Sequence, residues 1–545
     1  VSDLAAQRRF GDRVARRVQE ARRDLLPRLF ARDATLFTTD DGGTREVADR
    51  LGWLGLPATM ESRRAEVEGF AAEVRAAGFR RVLLLGMGGS SLAPDVFARL
   101  LGGGPGALAL TVLDTTDPAA ILDAEAAGDP ATTFFVVSSK SGGTVEPNAL
   151  AAYFLERTGG NGAQFAAITD PGSSLATLAA ARGFRRTFLN PPDVGGRYSA
   201  LSLFGLVPAA LVGVDIGRVL ASARRVRGEC AESDGLPGQR VARLAAFLAT
   251  GVEEGRDKLT FLMPRAFEPF GSWVEQLVAE STGKHGTGVL PVVGEAPRDP
   301  AAYGNDRVFV ALDPPGDDAP GAQRLLSALS KAGHPALALP FDPAADLGGA
   351  FFEWEVATAL AGVWLRINPF DQPNVAESKA NTDAVLARFA RGEAPEADAP
   401  PDRAALAIRL AAWRGALRPG DYVAILAYLA PTPAHDAVLG RLRAAIGAAT
   451  GAAVTVGYGP RFLHSTGQLH KGGPATGAFL QVETTDARDA VVPGAGYTFG
   501  RLKLAQALGD VAALEERKRN VLRVRLPEGD LPVLEAALAD ALGRA

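Results

Sequence analysis

Short, almost continuously apolar strands recur along this chain, with helix-patterned stretches between them. Arg81-Val-Leu-Leu-Leu-Gly86 is the first; residues 108–113, 133–137 and 165–169 repeat the pattern, with helices near 92–101, 117–126 and 144–157 between them. A strand that faces water on one side alternates apolar with polar positions. A strand without polar positions has both faces covered. Strands of that kind separated by helices predict an α/β fold, a doubly wound parallel sheet with helices on both sides.

Two further units follow the first. One begins at Lys258-Leu-Thr-Phe-Leu-Met263 and runs to about residue 390, and another starts at Tyr422-Val-Ala-Ile-Leu-Ala-Tyr-Leu429. Between them lies an acidic Pro/Ala linker, Gly392-Glu-Ala-Pro-Glu-Ala-Asp-Ala-Pro-Pro-Asp402. Both units show strand (259–263; 422–429), helix (270–281; 436–449) and strand (289–293; 453–456). After a Gly/Pro-rich loop come strand (308–312; 478–482), helix (322–332; 501–516), strand (336–340; 521–525) and helix (350–365; 532–542). This shared order reads as a weak internal repeat with few identities. Residues 2–30 and 62–77 are helical in pattern, with Leu4, Val14, Val18, Leu25 and Leu29 available for packing. The expected division is a helical segment (1–60), a first unit (61–215), a helical connection (216–250), a second unit (251–390), the linker (391–412) and a third unit (413–545).

The net charge of −4 comes without a Lys/Arg-rich tract, which excludes nucleic acid and anionic membrane as expected partners. No apolar run reaches ~18 residues, and the Arg-rich N-terminus has no apolar signal core, so a cytoplasmic location is expected. Cys230 is the one cysteine and has no CxxC or His spacing; it reads as a plain thiol. Lysine is scarce, 8 against 50 Arg. A chain that uses Arg wherever a plain positive charge will do keeps Lys for tasks that Arg cannot perform, such as releasing a proton near neutrality. Lys140, Lys284, Lys379 and Lys471 lie in Gly/Ser/His-rich segments that read as site loops.

Gly86-Met-Gly-Gly-Ser-Ser91 follows a strand and opens a helix, where glycines let backbone N–H groups approach an anion. The rival is a dinucleotide fingerprint. Its third glycine is replaced by Ser91, although an acid, Asp114, does end the next strand. Ser138-Ser-Lys-Ser-Gly-Gly-Thr144 is a second loop between strand and helix. Its Ser139, Ser141 and Thr144 hydroxyls suit a phosphoryl dianion, the alternative being a plain helix N-cap. No Walker A run exists.

Gln276 and Glu280 share one helix face four residues apart, and Gly283 ends that helix. Glu280 thus lies near a helix C-terminus, where the dipole raises carboxylate basicity. Arg197, in Gly195-Gly-Arg-Tyr-Ser199, sits in a glycine turn, where its guanidinium suits an oxyanion or a surface ion pair.

Together these segments resemble the glucose-6-phosphate isomerases, a family of the sugar isomerase (SIS) superfamily. The matching runs are GMGGSSLAP (86–94), SSKSGGTVEP (138–147), GGRYS (195–199), QLVAESTGK (276–284) and NPFDQPNVAESK (368–379), in the family's order. The chain is most similar to the isomerase half of bacterial transaldolase/glucose-6-phosphate isomerase fusions. It has no room for a transaldolase barrel, and starting at Val1 fits a cut fusion or an unusual start codon. The resemblance implies two SIS units of the family plus a third, SIS-like one.

It also implies roles. Glu280 matches the base that carries a proton from C2 to C1 through an enediolate, and Arg197 the cation facing the developing charge. Lys379 matches a residue near the ring oxygen, and Gln276 and Gln372 polar ligands of the sugar. Gly89, Ser90, Ser139, Lys140, Ser141 and Thr144 match substrate and phosphate contacts. No metal or redox cofactor is implied, because the hydrogen moves as a proton.

The departure from the family is its ring-opening histidine, absent from Gly288–Pro300, where the family carries it. The lookalike is Phe462-Leu-His464-Ser-Thr-Gly-Gln-Leu-His470 in the third unit. In the family's usual homodimer the neighbouring subunit supplies that residue. A third unit that is a degenerate copy of the second would supply His464 within one chain, so that a monomer suffices; imidazole suits the task. His285 is the competitor, His470 reads as a loop hydrogen-bonder, and His334 and His435 read as surface residues. The expected activity is reversible isomerisation of glucose 6-phosphate and fructose 6-phosphate, with a transaldolase as an expected fused or associated partner. The alternatives are a non-catalytic sugar-phosphate regulator on the same fold and an NAD(P)-dependent oxidoreductase.

Overall fold

The computed structural model describes residues 4–104, 106–232, 236–314, 320–393, 402–527 and 529–543; most of the Pro/Ala linker lies outside them. The first sheet contains β1 (Arg81–Gly86), β2 (Ala109–Leu113), β3 (Thr133–Ser138), β4 (Phe165–Thr169) and β5 (Arg186–Leu189) in the order β2-β1-β3-β4-β5. Every pairing is parallel. β3 is buried at every position and β1 at all but Arg81, as strands covered on both faces must be. The sequence reading missed β5, a half-exposed edge strand without a continuous apolar run.

The second sheet is formed by β6 (Lys258–Leu262), β7 (Leu290–Val292), β8 (Arg307–Asp313) and β9 (Ala336–Pro340), in the order β7-β6-β8-β9. The third has β10 (Tyr422–Tyr428), β11 (Ala453–Tyr458), β12 (Gly477–Thr484) and β13 (Asn520–Leu526), in the order β11-β10-β12-β13. These two sheets have the same topology, and their strands and helices follow the shared order expected from the sequence. All three are parallel α/β units.

One apolar core runs through the first and second units and takes in the long helix Pro343–Leu365. The third unit has its own core. It docks on the second through Tyr428, Phe462, Leu469 and Phe479, packed with Ala279, Leu290 and Val292. It docks on the first through Val492, Phe499 and Leu502. The third unit therefore touches both of the others, and the site described below lies where all three meet. Among the described residues no helix is long and apolar enough to cross a membrane.

In the first sheet, the order in which successive strands are added reverses between the adjacent parallel strands β1 and β3, whose last residues Gly86 and Ser138 pair in register. Ligands of open α/β sheets bind beyond the carboxyl ends of strands at such a switch point. The loops that leave β1 and β3 there are the two that the sequence marks as phosphate cradles.

Candidate active site

The loop after β3 is not a side-chain cap. Thr144 occupies the N-cap position of helix Val145–Arg157 with extended backbone, yet its side chain caps none of that helix's N–H groups. Its hydroxyl pairs instead with Ser139 Oγ at 3.2 Å, and Ser141 Oγ accepts from Gly143 N–H at 3.2 Å. Hydroxyls thus line an uncapped helix N-terminus, which suits a dianion. Lys140 is committed elsewhere: its ammonium pairs with Asp170 and donates to the Pro192 carbonyl at 2.9 Å. It fixes the Pro191-Pro192 segment rather than offering a free cation.

The loop after β1 has another reason for glycine at position 89. A Cβ there would lie 1.9 Å from the Gly196 carbonyl oxygen, in the turn that bears Arg197. Gly89 allows two loops to touch. Ser90, beside it, is buried. Asp114 accepts from Ser91 Oγ at 3.1 Å and lies 3.2 Å from Arg461 Nε, so this carboxylate is already engaged and does not stand free for a dinucleotide ribose.

Arg197 is 4% exposed and every one of its N–H directions is used. Nε donates to Ser281 Oγ at 2.9 Å, and Nη2 to the Pro369 and Asp371 carbonyls at 2.7 and 2.8 Å. Nη1 donates to Gln372 Oε1 at 2.9 Å and lies 3.1 Å from Glu280 Oε1. The surface-ion-pair alternative for Arg197 is thereby excluded. Glu280 lies in helix Glu268–Thr282, two residues from its end. Its other oxygen accepts from Gln276 Nε2 at 3.1 Å, and the same nitrogen donates to the His464 carbonyl at 2.8 Å. Among the described residues Gln276 Oε1 is buried without a hydrogen-bond partner, an acceptor that a sugar hydroxyl would satisfy.

His464 closes a turn, Arg461–His464, that follows β11 in the third unit. Its Nε2 lies 3.0 Å from Glu146 Oε1, and Gln506 Nε2 donates to the same oxygen at 2.7 Å. Burial works against the imidazolium, but the Glu146 carboxylate outweighs it and holds the His464 pKa above its ordinary value. Glu146 answers in the opposite direction: burial would raise its pKa, and His464 brings it below the usual carboxylate value.

The remaining expectations divide. His285, the competitor, is exposed at φ 54° and makes no hydrogen bond among the described residues. His470 is buried, bonds Tyr422 Oη at 2.9 Å, and burial pushes its pKa down to about 3. His334 is not a surface residue: it is 4% exposed and its Nε2 faces the Pro300 carbonyl at 3.0 Å. Lys379 lies in helix Val375–Ala390 rather than in a loop, and its side chain falls outside the described residues. Gly283 does end the Glu280 helix, at an ordinary φ of −79°; a Cβ there would lie 2.4 Å from Leu469 Cα, so it is glycine for close contact with the third unit.

Three residues escaped the sequence reading. Glu146 sits inside a matched run but looks like any acid in a helix's first turn, and its partner is 318 residues away. Gln468 bonds Asn374 and the Gly283 carbonyl, and Gln506 bonds Glu146 and Thr116. Their signal was available in part: Lys503, Gln506 and Asp510 form a helical stripe of buried polar residues. Among the described residues no group of three or more His, Cys, Asp or Glu could hold a metal ion.

A carboxylate beside a guanidinium, with an imidazole and a hydroxyl-lined helix N-terminus nearby, is the equipment of a proton-transfer enzyme of the sugar-phosphate class. Residues 64–289 match the family model described as phosphoglucose isomerase. The chain is 31% identical over 421 residues to the glucose-6-phosphate isomerase of Rubrobacter xylanophilus, covering 67% of this chain and 93% of that one. It is 30% identical to that of Carboxydothermus hydrogenoformans, over 65% of this chain and 89% of the relative. A hypothetical protein of Thermus thermophilus aligns in structure with TM-score 0.57 and 26% identity, over 69% of this chain and 97% of its own. A Chlamydia trachomatis glucose-6-phosphate isomerase shares the fold at TM-score 0.51 and 18% identity, over 68% of this chain and 79% of that one. The chain belongs to the glucose-6-phosphate isomerase family.

Proposed function

We propose that this chain interconverts glucose 6-phosphate and fructose 6-phosphate by proton transfer, with one site assembled from all three of its units. The observation that carries the reading is the run of contacts from Arg197 to Glu280, from Glu280 to Gln276 and from Gln276 to the His464 carbonyl. Glu146 then links the imidazole back to the helix that opens at the Ser139–Thr144 loop.

Ring opening places one proton on the ring oxygen as the C1–O5 bond breaks, and the proton of the anomeric hydroxyl passes to solvent water as C1=O1 forms. His464, its imidazolium favoured by Glu146, supplies the first; Lys379 is assigned near the same oxygen by resemblance. Glu280 then takes the C2 proton, the electron pair enters the C1–C2 bond, and negative charge builds on O1. A proton passes from O2 to O1, and Glu280 returns its proton to C1. Arg197 stabilises the enediolate, and Gln276 and Gln372 hold sugar hydroxyls. Ser90, Ser139, Ser141 and Thr144 hold the phosphate. A non-catalytic regulator would need the cradle but has no use for a base held between Arg197 and Gln276.

His464 reaches the site within the same chain, so the monomer is the active unit in this reading. A transaldolase partner and a cytoplasmic setting belong to the same proposal. The test is turnover of fructose 6-phosphate at a dilution where light scattering reports monomers. E280Q should lower kcat/KM by about 10²–10⁴-fold. No turnover by the wild-type chain ends the isomerase reading; activity confined to dimers ends the single-chain one.

A further inference from the structure

Arg461 opens the turn that carries His464, and its Nε lies 3.2 Å from Asp114 Oδ2 at the end of β2. Asp114 also accepts from Ser91 Oγ at 3.1 Å, and Ser91 Oγ lies 3.1 Å from the Gly88 carbonyl. A single carboxylate therefore ties the third unit's turn to the glycine cradle of the first. Arg461, Phe462 and Ser465 line a cavity of about 650 Å³ together with Tyr458, Glu275 and Arg443. Phe462 anchors the turn within its own unit, its ring edge-on to Tyr428 at 5.6 Å. Towards the substrate side the turn is held by three polar ties: Arg461 to Asp114, His464 to Glu146, and the His464 carbonyl to Gln276. Phe462 is packed in the apolar cluster that joins the third unit to the second, so packing holds the middle of the turn while these ties set its two polar ends, Arg461 and His464.

We infer that the Arg461–Asp114 pair is a positioning clamp for ring opening, holding the His464 turn against the Gly86–Ser91 cradle so that the imidazole stands over the ring oxygen. The inference rests on the isomerase reading and assigns a function to the acid that a dinucleotide fold would have placed on ribose. Arg461 acts through His464. Its loss therefore displaces the imidazole and leaves Glu280, Arg197 and the phosphate loops in place.

The experiment compares wild type with R461M, D114N, R461K and H464N. Exchange NMR reports anomerisation of glucose 6-phosphate, which requires ring opening alone. Affinity for arabinonate 5-phosphate, an acyclic mimic of the enediolate, reports the rest of the site. R461M and D114N should slow anomerisation about 10- to 100-fold, the size expected for an ångström-scale misplacement. They should bind the acyclic acid within threefold of wild type. R461K, whose ammonium reaches the same carboxylate, should keep most of the rate. Unchanged anomerisation in R461M beside a deficient H464N overturns the clamp and leaves the isomerase reading standing. An unimpaired H464N overturns the role of His464 itself. If R461M loses affinity for the acyclic acid as well, the pair supports the whole site and the clamp is wrong.

Discussion

His464 Nε2 lies 3.0 Å from Glu146 Oε1, joining a turn of the third unit to the helix that opens at the first unit's hydroxyl loop. In the proposed mechanism the contact couples two functions that the sequence holds far apart, sugar ring opening and phosphate binding. It also sets the charge on the imidazole. Burial alone would leave His464 neutral, and the carboxylate reverses that preference.

E146Q should therefore move the alkaline limit of anomerisation to lower pH, because burial remains when the carboxylate is gone. The stability effect has a defined window. The raised His464 pKa gives a contribution that is full below its unfolded value of ~6.5 and is lost as pH rises through the folded value. The lowered Glu146 pKa gives one present above ~4.5 and lost as pH falls through its folded value. Denaturation of wild type and E146Q across pH 4–9 should show the largest difference near pH 5–6 and a shrinking one on either side.

Arg197 presents no unused N–H, so an enediolate can gain a donor only by displacing one of its present partners. Gln372 is the exposed one and should be the partner that yields. Q372A should consequently tighten an acyclic enediolate mimic or leave it unchanged, while weakening the cyclic substrate if its amide holds a sugar hydroxyl. R197M should do the opposite of a mild change. It leaves Glu280 without its cation and strands buried acceptors, and breaking such a buried pair costs about 3–5 kcal/mol. Chemical denaturation together with titration calorimetry of the mimic checks both.

Much of this site was legible because parallel α/β sheets place their working loops after strands, where Gly, Ser and Thr stand out against apolar neighbours. The runs at Gly86–Ser91 and Ser138–Thr144 announced themselves that way, and His464 was found as the histidine missing from its expected interval. Contacts between units were not legible. Glu146, Gln468 and Gln506 are ordinary residues in local sequence, and only tertiary packing gives them partners. The lysines were half right. Lys284 and Lys471 do avoid the role of a generic surface cation, but as buried ion pairs with Asp371 and Asp510.

Two glycines on opposite sides of this distinction make a paired test. At Gly89 a Cβ would meet the Gly196 oxygen at 1.9 Å, so G89A must push the Arg197 turn away from the cradle. At Gly69, in helix Arg64–Ala76, an added Cβ would find nothing within 4 Å. G69A should raise stability by about 0.5–1 kcal/mol with kcat/KM unchanged, since alanine is the better helix former. G89A should lower both. A G89A enzyme with wild-type kinetics would show that the two loops are free to move apart.

Lys284 offers the sharpest pH signature. It is fully buried, and its ammonium donates to the Asn368 and Asp371 carbonyls at 2.8 and 2.6 Å and to Asp371 Oδ1 at 2.6 Å. Asp371 O also accepts from Arg197, so this ammonium sets the turn on which Arg197 rests. Burial and the nearby Arg197 push the Lys284 pKa down to about 8 despite Asp371. The sign is unlike that of a lysine stabilised by its partner. Between about pH 8 and the unfolded value of ~10.4 the unfolded chain binds the extra proton, so stability from this group rises with pH. Wild type should gain about 3 kcal/mol relative to K284M between pH 7 and pH 11, by the linkage of a shift of this size. Activity should run the other way, because the neutral amine loses its hold on Asp371 and the Arg197 turn loosens as pH passes 8. K284M should show neither trend, and a parallel pH dependence of stability in the two proteins would mean that Lys284 does not titrate in this range.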